Sequence, residues 1–211
     1  MFSLKRKNRP TSQEAYIAAL KRMIDGDGES ALQALQMAVR SGQAPTDAYI
    51  RLGNLLRLRG DVNKAVQIHQ SLTVKTDLTK DEKVELFLNL AEDFSAMGNS
   101  EKSARTLETA VKTLNIKDPL VFLKIAKQYH VMGEMEKAYD ALKDARKYGG
   151  LGERELALYL ASAAAVLIEK EDTKEARKTL SRALKHDPNC APAQVMAGDL
   201  AEAAGEIDEA I

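Results

Sequence analysis

Tryptophan is absent from this chain, cysteine occurs once, at Cys190, and no apolar run approaches the roughly 20 residues a membrane-spanning helix needs. A lone cysteine excludes an internal disulfide and fits a reducing compartment. No signal-peptide hydrophobic segment follows Met1, so a cytoplasmic protein is expected. An excess of one charge is missing too, because 31 basic residues balance 31 acidic ones. A neutral chain lacks the bulk attraction on which nucleic-acid binding rests, so no nucleic-acid partner is expected. Proline is scarce, with five in 211 residues, and aromatic residues make up 5%.

The chain is otherwise rich in what a helical protein uses. It is 45% hydrophobic and 29% charged, enough to bury a substantial core. Alanine, leucine, lysine and glutamate dominate, which predicts an all-α fold. The organising stretch is Leu52 to Leu72, LGNLLRLRGDVNKAVQIHQSL. A Leu52-Gly53 pair sits on a helix with Leu55, Leu56 and Leu58, a turn falls at Gly60-Asp61, and a second amphipathic helix carries Ala65 and His69. Antiparallel helices approach closely where small residues face each other, and Gly53 and Ala65 are expected to supply that contact. One such pair cannot bury its apolar face alone.

Neighbouring pairs are present. Ala31-x3-Leu35 precedes Ala65-x3-His69 by 34 residues, and Ser103-x3-Leu107, Ala138-x3-Leu142 and Ala176-x3-Leu180 follow. Their first helices carry Tyr49-x2-Leu52-Gly53, Phe87-x2-Leu90-Ala91, Phe122-x2-Ile125-Ala126 and Leu160-x2-Ala163-Ala164. The repeats run roughly 12–45, 46–79, 84–117, 119–152 and 157–190, with an incomplete sixth over 191–211. Thr11 or Ser12 caps the first helix, and Pro119 stands where a helix start tolerates it. Four extra residues between the second and third repeats are expected in the linker around Thr76 to Glu82. The Gly149-Gly150-Leu151-Gly152 connection reads as a hinge or a longer turn, with the longer turn preferred. Residues 1–10 carry Lys5-Arg6-Lys7 and Arg9, and read either as a solvated terminus or as a basic juxtamembrane leader. The chain stops one residue past Ala210, the small position of a second helix. It therefore reads as a piece of a longer protein.

No catalytic chemistry is legible. His69 occupies a core position, His130 lies on a first helix and His186 falls in a loop, and none has a partner at metal-ligand spacing. There is no phosphate loop and no nucleophile motif. A non-enzymatic protein without cofactor or metal is expected, and binding is what remains. Stacked pairs coil so that first helices line the inner face. Counting from Tyr49, Phe87 and Phe122, that face holds Ile50, Arg51, Asn54 and Arg57, then Leu88, Asn89, Glu92 and Ser95. It continues with Leu123, Lys124, Lys127 and His130, and in the fifth repeat with Ala161, Ser162, Ala165 and Ile168. Arg51, Asn54, Arg57, Asn89, Glu92, Lys124, Lys127 and His130 are the candidate groove residues. They suit a peptide client bearing acidic and hydrophobic groups, and replacing Arg51 and Arg57 by alanine is expected to weaken client binding without unfolding.

The 34-residue period and the small-residue signature resemble the tetratricopeptide repeat family, over nearly all of Thr11 to Ile211. That implies an α-solenoid superhelix of about five to six helix pairs. Asn54, Asn89 and Lys124 match part of the family's carboxylate-clamp array, but Ile50 and Leu120 replace its other cations, so that activity is not carried over. The runs Tyr16-Ile17-Ala18-Ala19 and Ala48 to Leu72, with Arg57, Arg59 and Ile68-His69-Gln70, are similar to the lipopolysaccharide assembly protein B family. That resemblance implies an adaptor at the cytoplasmic face of the bacterial inner membrane, linking a lipid A biosynthetic enzyme to a membrane-bound protease. The anchor and the Cys-x2-Cys zinc module of that family are not in this sequence. Membrane contact is thus expected only through an anchor outside it. Two other readings stay open: a general scaffold that self-associates as a homo-oligomer, and the regulatory arm of an enzyme lying beyond residue 211.

Overall fold

The computed structural model describes residues 10–205. Among these it forms eleven α-helices and no strand, as an all-α fold requires. The chain divides into two compact units, Met1–Ile116 and Lys117–Ile211. The first contains α1 (Ser12–Ile24), α2 (Gly28–Val39), α3 (Thr46–Leu58), α4 (Val62–Leu72), α5 (Lys80–Ala96) and α6 (Ser100–Leu114). The second contains α7 (Pro119–Met132), α8 (Met135–Lys147), α9 (Glu153–Glu169), α10 (Thr173–His186) and α11 (Ala191–Ala203). The basic run Lys5 to Arg9, and the second helix expected around Ala210, lie outside the described residues.

Consecutive helices pack as hairpins, α1 on α2, α3 on α4 and α5 on α6, and likewise α7 on α8 and α9 on α10. Local chemistry sets their ends. Thr11 rather than Ser12 caps α1, accepting from the Glu14 amide while the Glu14 carboxylate accepts from the Thr11 amide. Thr79 and Glu82 build the same reciprocal cap on α5. Because that cap fixes the start of α5 at Lys80, most of the four extra residues lengthen the helix instead of the linker. α5 has 17 residues against 13 in α3.

Each hairpin turn needs one left-handed residue just before the second helix. Gly60 and Gly133 fill it at φ +87° and +78°, where a residue without Cβ pays no steric penalty. In the α9–α10 turn the same place is taken by Glu171 at φ +62°. Gly150 is constrained differently. A side chain there would strike Pro119 and the Ala145 carbonyl, and its own amide donates to that carbonyl at 3.0 Å. The Gly149–Gly152 connection is therefore a packed turn.

Unit 1 closes around Ala15, Leu35, Ala48, Leu52 and Ala65, all buried. A second cluster joins Ile50, Leu72, Leu78 and Leu86. In unit 2 the buried leucines are Leu142, Leu156, Leu160, Leu167 and Leu180, each contributing about 2 kcal/mol by leaving water. Two residues assigned to the inner face belong to these cores instead. Ile50 and Ala161 are each 1% exposed, and Ile50 packs with Leu72, Leu78 and Leu86.

Candidate protein-binding face

Helix α5 places an acid inside its own apolar stripe. Leu86, Leu90, Asp93 and Phe94 recur at helical spacing and all four are buried, with Asp93 fully so. A carboxylate in that setting must be paired, or its desolvation would cost several kcal/mol. Two groups pair it. Arg57 Nη1 on α3 donates to Asp93 Oδ1 at 2.6 Å, and His69 Nδ1 on α4 lies 2.5 Å from Asp93 Oδ2. The other ring nitrogen of His69 lies 3.2 Å from the Ile50 carbonyl. A carboxylate only accepts, so it is the Nδ1–H of His69 that donates to Asp93. One buried carboxylate thus ties three helices together.

This corrects the packing expected for the central pair. The atoms nearest to a side chain placed at Gly53 are those of His69, not Ala65. Gly53 is small because a buried, hydrogen-bonded imidazole needs its space. The signal was in the sequence, an aspartate on an apolar stripe and a histidine in an aromatic's place, but the link between them crosses 24 residues.

Arg57 extends the arrangement to the surface. Its guanidinium also donates to the Asn89 carbonyl at 3.2 Å, to Asn89 Oδ1 at 3.4 Å and to Glu92 Oε2 at 3.0 Å. Arg57, Asn89 and Glu92 are therefore brought together, with Arg57 15% and Glu92 43% exposed. Arg57 is built into the fold. Asn89 Nδ2 in turn donates to the Glu85 carbonyl at 3.0 Å. Two turns earlier on α3, Arg51 pairs with Asp47, which also accepts from the Tyr16 hydroxyl of α1. Burial, and then the Asp47 carboxylate, push the Tyr16 phenol above its ordinary value. Asn54 lies between the two arginines in sequence, half-buried, with its Oδ1 out of contact with any donor.

The other three candidates are on α7 in unit 2. Lys124 and Lys127 are exposed. His130 is half-buried, with its ring edge-on to Tyr159 at 6.0 Å. Burial first, then Lys170, holds the His130 imidazole below its ordinary range. His186 is not in a loop but ends α10, where Nε2 lies 2.9 Å from the Tyr139 hydroxyl and Nδ1 lies 2.7 Å from Glu153 Oε2. Among the described residues no three or more of His, Cys, Asp and Glu form a group that could hold a metal ion. No helix among them is long and apolar enough to cross a membrane.

The hairpins with small-residue contacts and one left-handed turn each find a counterpart among known proteins. A tetratricopeptide repeat family model matches residues 167–211. The chain superposes on a crystal structure of a tetratricopeptide repeat protein from Parabacteroides merdae with a TM-score of 0.63, at 17% identity, covering 94% of this chain and 75% of that one. The chain has the fold of tetratricopeptide repeat proteins. Among curated proteins this repeat chain is similar to lipopolysaccharide assembly protein B. The Haemophilus influenzae protein is 27% identical over 165 residues, which is 78% of this chain and 41% of the relative. The Escherichia coli K12 protein is 28% identical over 83 residues, 39% of this chain and 21% of the relative. The repeat chain thus spans less than half the length of the curated relatives it matches.

Proposed function

We propose that this repeat chain is a non-catalytic adaptor that holds a protein client on its first-helix faces, in the manner of lipopolysaccharide assembly protein B. The observation that carries the reading is the fixed polar face of unit 1. Arg57 donates to Asn89 and Glu92 and is anchored through Asp93, and Arg51 is held by Asp47. Side chains already held in place lose little freedom when a client arrives, so more of each contact appears as affinity. Repeat stacks present such surfaces to protein partners. The similarity to lipopolysaccharide assembly protein B supports a client in lipopolysaccharide production and a site of action at the cytoplasmic face of the inner membrane. On this reading the clients are a lipid A biosynthetic enzyme and a membrane-bound protease. The test is affinity capture from bacterial envelope extracts with the repeat chain as bait. Retention of either client is the expected result, and recovery of neither contradicts the reading.

A further inference from the structure

In unit 2 a small cavity lies among α7, α8, α9 and α10, between the two hairpins. Its lining is mostly apolar, including Ala138, Leu142, Leu160 and Ala163. Two of its polar lining groups are already engaged, since the Tyr139 hydroxyl bonds His186 and Arg182 donates to Glu136 at 2.7 Å. Two others face it without a protein partner. Thr179, only 3% exposed, has an unpaired Oγ1, and His130 has an unpaired, buried Nδ1. Buried polar atoms with no partner are rare in native proteins, because each forfeits its hydration. The two belong to different hairpins and line one cavity. About 10 Å3 is open there to a water centre, roughly what a single water needs.

We propose that this cavity is a binding site for one structural water, held between Thr179 Oγ1 of α10 and His130 Nδ1 of α7. A hydroxyl both donates and accepts, and water does the same, so either tautomer of the imidazole is satisfied. The bound water joins the two hairpins where no direct hydrogen bond between these two side chains does. It also fixes the ring of His130, so the orientation of one candidate client-binding residue is set from inside the unit.

The sign of one substitution separates this from a dry cavity. Thr179→Val keeps the shape and removes the hydroxyl. If Oγ1 is dry, the change deletes a buried unpaired group and the protein gains stability. If Oγ1 holds the water, the change also strips His130 of its partner, and the melting temperature falls by about 2–4 °C. A crystal structure of the whole chain at a resolution that shows ordered solvent, with water–protein NMR cross-relaxation at Thr179, reads the site directly. Expected are one ordered water within hydrogen-bond distance of both groups, its retention in Thr179→Ser and its loss in Thr179→Val. An empty cavity, a water touching only one of the two groups, or a T179V variant melting at or above the parent overturns the proposal. Should that variant not fold, the wild-type measurement decides alone.

Discussion

The Nε2 edge of His69 lies against Gly53 on the facing helix, with no room for a side chain between them. In an ordinary helix interior, replacing glycine with alanine gains about 1 kcal/mol. Here the neighbour cannot give way, because Asp93 and the Ile50 carbonyl hold the ring from both sides. Gly53→Ala is therefore expected to lose about 2 kcal/mol through overpacking. In a His69→Ala background the same change should turn neutral or stabilising. Urea unfolding of the four proteins measures this coupling. Equal effects in both backgrounds would dismiss the contact.

The two arginines of α3 should behave oppositely. Arg57→Ala strands the buried Asp93 carboxylate and is expected to cost about 3–5 kcal/mol. Arg51→Ala breaks an exposed pair with Asp47, 40% and 36% exposed, and should cost less than about 1 kcal/mol. Chemical denaturation ranks them. Similar losses for both would mean that Arg57 is not built into the fold.

Much of the architecture was legible in the sequence, and the reason is physical. Small residues returning every 34 to 38 positions, and caps such as Thr79 with Glu82, are short-range signals that each helix carries on its own. The extra residues before the third repeat were misplaced because a linker and a longer first helix have the same length. The face was read less well. Ile50 and Arg51 are adjacent, and one step in helical phase decides that Ile50 is core while Arg51 meets solvent. Asp93 was missed as a partner because its pairing with His69 and Arg57 joins three helices, and no spacing within one helix reports that.

The turn before α10 carries strain that the other hairpins avoid. Glu171 takes a left-handed conformation at φ +62° where the corresponding turns have glycine. An L-residue there pays about 1–2 kcal/mol, partly offset by the extra freedom glycine gains when unfolded. Glu171→Gly should raise stability by about 0.5–1 kcal/mol, visible as a higher melting temperature. A decrease would show that the Glu171 side chain makes a contact worth more than the strain.

Acid should weaken unit 2 through His130. Burial and Lys170 hold its folded value below the ordinary 6.5, so the unfolded chain binds the proton more readily. Its contribution is complete above that ordinary value and is lost as pH falls through the lowered folded one. Melting curves on either side of that window should show a loss at low pH that is smaller in His130→Gln. Identical pH profiles for the two proteins would contradict this.

The central claim is that a client rests on the fixed polar face of unit 1, and Arg51 is the residue that tests it without disturbing the fold. The measurement is the affinity of the captured client for the Arg51→Ala chain relative to the parent, with melting temperature followed in parallel. The account expects binding weaker by about tenfold, near 1.4 kcal/mol, at an almost unchanged melting temperature. Undiminished affinity in a folded Arg51→Ala chain would contradict it.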